Sequence, residues 1–327
     1  MNSLVELAVD LGGLKMKNPF TVASGTFASG REYADLWAAT MDTADCDGLA
    51  TKLAFNPDKP LSILGALTTK GVSHKSWPGN TGIRITETAS GMLNSIGLQN
   101  PGVEDFCTKD ISWFGSQGVP VIVNVSGHSV DEYRRVVERL EREGAVTAYE
   151  INISCPNVDC GGMSFGIDPR AAAEVTQACR ALTKRPLIIK LTPNVTDITE
   201  IARACEAAGA SGLSLINTVA GMAIDIRARK PLFDRKMAGL SGPAIKPIAL
   251  WAVHRVYGAV KLPILGMGGI TNAEDVFEFM LAGATAVAVG SQNFTDPLSV
   301  PRLIVEFAEL CEREGVKNID ELIGGLE

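Results

Sequence analysis

The stretch VPVIVNVSGHSVDEYRRVVERLEREGAVTAYEINIS, residues 119–154, decides the fold of this 327-residue chain. It begins with an apolar run at Val121–Val125, continues with an amphipathic pattern over Val130–Glu143, and returns to an apolar run at Ala148–Ile153. Strands that are covered on both faces are apolar almost throughout. A strand, a helix and a second strand of this kind predict a βαβ unit with parallel strands.

The same alternation extends in both directions along the chain. Further strands are predicted at Leu187–Leu191, Gly212–Ile216, Ile264–Met267, Ala286–Val289, Phe20–Ser24 and Ala66–Thr69. Further helices are predicted at Pro169–Thr183, Ile198–Ala208, Pro243–Ala259, Ala273–Ala282, Val300–Glu314, and near Glu32–Thr40 and Val103–Ser116. Eight such units predict an α/β protein with a (β/α)8 TIM barrel, as a single domain over residues 1–327. An open doubly wound sheet is the competing architecture.

Two segments fall outside this repeating pattern. Leu4–Leu11 and Leu14–Lys17 flank Gly12-Gly13, which predicts an N-terminal β-hairpin, and we expect it to close the N-terminal end of the barrel. The segment from Met41 to Pro60 is less regular, which predicts an insertion or a variable loop.

Composition excludes several classes of protein. A formal charge of −7 disfavours a nucleic-acid-binding protein, which needs a basic surface for phosphates. No apolar run approaches the roughly 20 residues that span a bilayer, and the start of the chain lacks the pattern of a signal peptide. Seven cysteines without a repeating spacing are typical of free thiols in a reducing compartment. We therefore expect a cytoplasmic protein that binds neither nucleic acid nor membrane.

Glycines follow the last two predicted strands of the barrel. Gly266, Gly268 and Gly269 come at the end of one strand, and Gly290-Ser291 come at the end of the next. Barrel enzymes often bind a phosphate at these two positions, because the exposed backbone N–H groups lie near helix N-termini. Tight turns alone would also explain either set of glycines, but the neighbouring pair favours phosphate binding.

Two lysines end apolar strands, at Lys70 and Lys190. A desolvated ammonium needs an anionic partner, which a reduced flavin or a substrate carboxylate would provide. A Schiff-base lysine is the alternative, but it leaves nearby asparagines unexplained. Amide side chains offer both donors and acceptors, as recognition of a cyclic imide requires. These asparagines are Asn94, Asn152, Asn157 and Asn217.

Cys155 follows a predicted strand directly and precedes Pro156. A thiol at that place can act as a base when its pKa is near neutrality. Cys160 completes only half of a tetrahedral metal site with it, so we expect no metal. The loop that continues through Gly161-Gly162 to Phe165 is a candidate lid over the site. The other cysteines are expected to be buried apolar residues: Cys46, Cys107, Cys179, Cys205 and Cys311.

Four strings of sequence together resemble one family. They are NISCPN at 152–157, MLNSIGLQNPG at 92–102, LSGPAIKP at 240–247 and GMGGI at 266–270. This combination resembles the catalytic subunit of class 1 dihydroorotate dehydrogenases, most closely the B-type, NAD-linked subclass. The resemblance covers nearly the whole chain and implies an FMN-containing (β/α)8 barrel that acts in pyrimidine biosynthesis.

Carried over to matching positions, the resemblance implies that Cys155 removes the C5 proton of dihydroorotate while the C6 hydride passes to flavin N5. Class 2 enzymes have serine at this position. The residues implied to hold dihydroorotate or orotate are Lys70, Asn94, Ser95, Ile96, Gly97, Leu98, Asn152, Asn157, Asn217 and Thr218. The residues implied to contact FMN are Ser24, Lys70, Gly71, Asn124, Asn152, Lys190, Ile216, Gly242, Gly268, Gly269, Gly290 and Ser291. Thr51-Lys52 is a second Thr-Lys pair, but the residues around Lys70 match the family better.

The route of the electrons also follows from the resemblance. The chain has no G-x-G-x-x-G after a strand and no four cysteines at iron–sulfur spacing. The B-type family uses a separate subunit with FAD and a 2Fe-2S cluster, so we expect a heterotetramer around a homodimeric core. Alternatives are a fumarate-dependent A-type enzyme, a dihydropyrimidine dehydrogenase-like barrel, and, outside enzymes, a barrel that only binds a ligand.

Overall fold

The computed structural model describes residues 5–27, 29–41, 43, 46–154 and 165–326. The strands are β1 Val9–Leu11, β2 Leu14–Met16, β3 Phe20–Val22, β4 Leu67–Thr68, β5 Ile85–Thr88, β6 Gly91–Asn94, β7 Val121–Val125, β8 Val146–Asn152, β9 Leu187–Lys190, β10 Gly212–Leu215, β11 Val219–Gly221, β12 Ile224–Asp225, β13 Lys230–Pro231, β14 Ala238–Ser241, β15 Ile264–Gly266 and β16 Ala286–Val289. The helices are α1 Arg31–Met41, α2 Asp47–Leu53, α3 Val103–Lys109, α4 Ile111–Ser116, α5 Val130–Leu140, α6 Pro169–Arg180, α7 Ile198–Ala207, α8 Lys246–Tyr257, α9 Ala273–Leu281, α10 Gln292–Thr295 and α11 Ser299–Arg313.

Eight parallel strands of the described chain form the central sheet, in the order β3-β16-β15-β10-β9-β8-β7-β4. The two outer strands of this order meet, because the backbone N–H groups of Gly65 and Ala66 donate to the carbonyl oxygen of Phe20 at 2.9 and 3.3 Å. The hydroxyls of Thr21 and Thr68 also lie 3.0 Å apart across that seam. The sheet is therefore a barrel, and the predicted (β/α)8 fold is confirmed.

The stretch 119–154 shows why these residues form these elements. Every residue of β7 is buried, as expected for a strand between the barrel interior and a surrounding helix. In α5 the buried residues recur at helical spacing, at Tyr133, Val136, Val137 and Leu140, so one face packs on the sheet. Ser129 caps this helix by accepting a hydrogen bond from the N–H of Glu132.

The N-terminal hairpin is confirmed by the antiparallel pairing of β1 with β2. Gly12 and Gly13 have φ values of 64° and 96°, a region that glycine enters without strain. A Cβ on Gly12 would lie 2.0 Å from the carbonyl oxygen of Ser211, just before β10 begins. The hairpin therefore covers the N-terminal end of the barrel, as expected.

A second, antiparallel sheet was not predicted. Its strands pair in the order β11-β14-β6-β5, and we call it the outer sheet. No residue of β5 or β11 is fully buried, so nothing local predicted them as strands. Leu93, Phe233 and Ala238 form a small buried cluster of their own beneath this sheet.

The segment from Met41 to Pro60, which we predict to be an insertion or a variable loop, contains α2, whose Lys52 pairs with Glu309 of α11 at 2.5 Å. The helix predicted over Val103–Ser116 is two helices, α3 and α4, which meet at Asp110. In the described ranges, no helix has both the length and the apolar character needed to cross a bilayer.

Candidate active site

A cavity of about 810 Å³ lies between the C-terminal ends of the barrel strands and the outer sheet, and we call it the mouth cavity. The predicted site residues that the structure describes all line it: Ser24, Lys70, Gly71, Asn94, Ser95, Ile96, Gly97, Leu98, Asn124, Asn152, Lys190, Ile216, Asn217, Thr218, Gly242, Gly268, Gly269, Gly290 and Ser291. Cys155 and Asn157 lie outside the described residues, as do Cys160 and the glycines of the candidate lid. Ser154, the residue before Cys155, lines the cavity.

The floor of the mouth cavity contains a buried ion pair. The ammonium of Lys190, on β9, lies 3.7 Å from a carboxylate oxygen of Glu150, on β8. Both side chains are almost fully buried, at 5% and 0% exposure. Lys190 also donates a hydrogen bond to the hydroxyl of Ser24 at 3.2 Å. Because both side chains are almost fully buried, each charge depends largely on the other and on its hydrogen bonds for stabilisation.

Lys70 is the second lysine of the site and is only half-buried. Burial lowers the pKa of its ammonium below the ordinary value of 10.5, and the neighbouring guanidinium of Arg84 lowers it further. Arg84 also lines the mouth cavity, and it donates to the amide oxygen of Gln99 at 2.7 Å. Two cations therefore lie on one wall of the cavity, where they favour binding of an anionic group.

The loop from Asn94 to Leu98 is held from two sides. Asn94 donates to the carbonyl oxygen of Gly239 in the outer sheet at 3.3 Å. The amide of Asn80 donates to the carbonyl and the hydroxyl oxygen of Ser95, both at 3.0 Å. Gly97 has a φ of 74°, and a Cβ there would lie 2.6 Å from the backbone nitrogen of Asn80. These contacts fix the loop against the cavity wall.

The amides of Asn152 and Asn217 are oriented by their neighbours. The oxygen of Asn152 accepts from the N–H of Ser154 at 3.2 Å and from the amide of Asn217 at 3.5 Å. The oxygen of Asn217 accepts from the N–H of Thr218 at 2.8 Å. With both oxygens engaged, the remaining amide hydrogens are the groups that can donate to a ligand.

Two glycine turns line the mouth cavity, and the first of them has no room for side chains. Gly268 and Gly269 have φ values of 132° and 79°, and Cβ atoms there would come within 2.8–2.9 Å of Ala249 and Lys246. The neighbouring turn at Gly290-Ser291 leads into α10. Backbone N–H groups at such turns favour an anion such as phosphate.

Several residues that line or support the cavity were not predicted. Glu150 could have been found, because it is a charged residue in the otherwise apolar run Ala148–Ile153. Arg84 and Arg235 also line the cavity, but they come from irregular segments of the sequence that carried no pattern. No group of three or more His, Cys, Asp or Glu side chains within the described ranges could hold a metal ion.

Comparison with known proteins agrees with this geometry. The family model described as dihydroorotate dehydrogenase matches residues 40–311. A relative from Alkaliphilus metalliredigens, named "Dihydroorotate dehydrogenase B (NAD(+)), catalytic subunit", is 47% identical over 98% of this chain and 99% of its own length. Relatives of the same name from Lachnoclostridium phytofermentans and Geobacter metallireducens are 49% and 46% identical, over 97% and 98% of this chain and 98% of each relative. The chain therefore belongs to the dihydroorotate dehydrogenase family.

Proposed function

We propose that this chain is the catalytic subunit of an NAD-linked dihydroorotate dehydrogenase, which oxidises dihydroorotate to orotate in the cytoplasm as a step of pyrimidine biosynthesis. The observation that carries the proposal is the mouth cavity, because every described residue implied to bind substrate or FMN lines it. The names of full-length relatives at 46–49% identity support the same activity.

The residues of the mouth cavity fit FMN as the cofactor. The side-chain oxygen of Asn124 is buried and has no hydrogen-bond partner among the described residues, so it suits an N–H group of a ligand. Gly268, Gly269 and Gly290-Ser291 would hold the phosphate, and Lys190 would face the part of the flavin that becomes anionic on reduction. When bound, FMN supplies the acceptor for the hydride that leaves C6 of dihydroorotate.

The chain itself binds and orients the substrate. Lys70 would pair with the substrate carboxylate, and the remaining hydrogens of the Asn152 and Asn217 amides would donate to the ring carbonyl groups. The loop from Asn94 to Leu98 would close one side of the ring. Because the outer sheet covers this end of the barrel, it would also exclude water from the reacting atoms.

Cys155 is proposed as the base that removes the C5 proton. A hydride leaves C6 and a proton leaves C5. The substrate thereby loses two electrons and two protons and becomes orotate. Ser154, next to Cys155, donates through its hydroxyl to the carbonyl oxygen of Lys190 at 2.8 Å. That bond anchors the start of the catalytic loop to the floor of the cavity.

The test of this activity is anaerobic reduction of the purified protein. We expect yellow protein whose flavin absorption is bleached by dihydroorotate, and a loss of at least about 100-fold in the bleaching rate of Cys155→Ala, as expected for removal of a general base. Cys46→Ser is the matched control, because Cys46 does not line the cavity. Bleaching at an unchanged rate in Cys155→Ala would refute the base assignment, and bleaching by dihydrouracil instead would indicate a dihydropyrimidine dehydrogenase-like enzyme. Colourless protein that binds orotate would indicate a ligand-binding barrel.

We further propose that a separate subunit with FAD and a 2Fe-2S cluster passes the electrons to NAD, in a heterotetramer built on a homodimer of this chain. The relatives' names, which describe a catalytic subunit and NAD, support a partner of this kind. We expect NAD reduction by dihydroorotate only after the second subunit is added. Rapid reduction of fumarate by the isolated chain would instead indicate the A-type enzyme.

A further inference from the structure

Glu150 is a buried acid that the proposed reaction does not use. It lies on β8 with no exposed surface, two residues before Asn152 and on the same face of the strand. Asn152 lines the mouth cavity. Within the described part of the chain, one of its carboxylate oxygens has no hydrogen-bond partner. A charged group is costly to hold in such a place without a role for the charge.

The other carboxylate oxygen of Glu150 contacts two groups that face the cavity. It accepts a hydrogen bond from the amide nitrogen of Asn124 at 2.5 Å and lies 3.7 Å from the ammonium of Lys190. Strand register explains both contacts, since Asn124 on β7 lies opposite Glu150, and β9 is the neighbour of β8 on the other side. Glu150 is therefore the acid that faces both of these cofactor-side residues.

Glu150 determines which end of the Asn124 amide faces the ligand. A carboxylate only accepts hydrogen bonds, so the amide must turn its nitrogen toward Glu150. The amide oxygen of Asn124 then has no partner among the described residues and lies 2.9 Å from where a Cβ on Gly71 would be. Asn124 and Gly71 both line the cavity, so this oxygen is the acceptor that Asn124 can offer to a ligand there.

Glu150 also reduces the positive field of Lys190. Because both side chains are almost fully buried, a carboxylate 3.7 Å from the ammonium cancels much of its effect on a third group. We propose that Glu150 is a positioning residue of the flavin site, which fixes the Asn124 acceptor and, through Lys190, keeps the reduction potential of bound FMN lower than Lys190 alone would make it. This inference rests on the proposed function only in taking FMN as the cofactor.

The test is the midpoint potential of bound FMN, measured by dithionite titration of the holoprotein. Glu150→Gln keeps the shape and removes the negative charge, so reduced, anionic flavin should be favoured over oxidised flavin by about tenfold. For a two-electron couple this corresponds to a rise of about 30 mV. Glu141→Gln is the matched control, because Glu141 contacts Tyr149 and Thr183 instead of residues of the cavity. We expect its potential to equal that of the wild type.

Glu150→Asp separates charge from shape. It keeps the charge, so we expect it to retain FMN with a potential near that of the wild type, and this comparison does not require Glu150→Gln to fold. An unchanged potential in Glu150→Gln, or a shift of the Glu150→Asp potential by the full 30 mV or so, would overturn the proposal. Wild-type protein that holds FMN but is not reduced by dihydroorotate would refute the proposed function alone, because the dithionite titration still measures the effect of Glu150. Wild-type protein that holds no flavin would overturn both.

Discussion

Several cationic side chains line the mouth cavity, although the chain as a whole carries a formal charge of −7. Lys70 and Arg84 lie on one wall of the cavity. Lys190 lies at its floor, where the carboxylate of Glu150 balances the charge of the ammonium. No carboxylate of the described ranges forms an ion pair with Lys70, and its pKa is lowered by burial and by Arg84. The wall at Lys70 is therefore where an anionic substrate gains most from binding.

The lowered pKa of Lys70 predicts how orotate binding depends on pH. Orotate pairs with the ammonium form, so its affinity should fall as pH rises through the lowered pKa, which lies below 10.5. Lys70→Met should weaken binding near pH 7 by about 2 kcal/mol or more, roughly 30-fold, and remove the pH dependence. Calorimetric titration between about pH 7 and pH 10 measures both effects.

Lys70→Arg is the control, because a guanidinium stays charged throughout this range and its binding should not vary with pH. A wild-type affinity that is also constant would contradict the assignment of Lys70. The sign for stability is the reverse. Between the lowered pKa and 10.5, the unfolded chain holds more protons at this residue than the folded chain, so folding stability should rise with pH.

The thiols of the chain should differ in reactivity. Burial raises the pKa of Cys179, Cys205 and Cys311 to about 12, and that of Cys107 to about 11. Because the thiolate is the reactive form, these four should resist iodoacetamide at neutral pH until the protein unfolds. We expect Cys155 to be labelled in the native protein and protected by orotate, as measured by mass spectrometry of the peptides. Labelling of the buried four at the rate of Cys155 would contradict this prediction.

At the scale of elements, the connection from β15 to α9 combines a turn that requires glycine with a well-capped helix. Asn272 and Asp275 form a capping box, in which each side chain accepts from the backbone of the other. Asp275 also accepts from Lys246 of α8 at 2.6 Å. The two helices are thereby joined directly behind the turn of Gly268 and Gly269.

Gly269→Ala should therefore damage both stability and cofactor binding. The added Cβ would lie 2.9 Å from the carbonyl oxygen of Gly242, and the alanine would have to adopt a φ of 79°. We expect a loss of about 1–3 kcal/mol in the free energy of unfolding and less FMN retained on purification. Gly144→Ala is the control, since a Cβ there meets no atom within 4 Å and no positive φ is involved. Equal stability of the two variants would refute the expectation that an alanine at position 269 strains the turn.

At the scale of the whole molecule, the described residues form two apolar clusters of very different size. The larger fills the barrel and its helices, and the smaller, around Phe233, lies under the outer sheet. A small cluster gives little stability of its own, so the outer sheet should open more easily than the barrel. That difference would let substrate enter while the barrel stays folded.

Phe233→Ala should loosen the outer sheet while the barrel stays folded. We expect weaker orotate binding and faster amide hydrogen exchange in residues 219–241 and 85–94, with a modest change in Tm. Phe279→Ala, in the barrel cluster, should instead lower the free energy of unfolding by about 3–5 kcal/mol. Hydrogen exchange with mass spectrometry, with and without orotate, checks both variants. Exchange in the outer sheet that is as slow as in β7 would contradict two separate clusters.

The sequence by itself determined the order of the barrel elements and most of the residues at the mouth cavity. Buried parallel strands are apolar runs, and their C-terminal ends meet at one edge, so Lys70, Asn152 and Lys190 could be brought together without coordinates. Only the tertiary structure decided the outer sheet, in which β6 pairs with β14 through residues such as Asn94 and Gly239. It also decided the contact of Glu150 with Lys190 and Asn124 and the lowered pKa of Lys70. The physical reason is that local pattern records which residues are buried, whereas pairing and electrostatic environment depend on residues far apart in the chain.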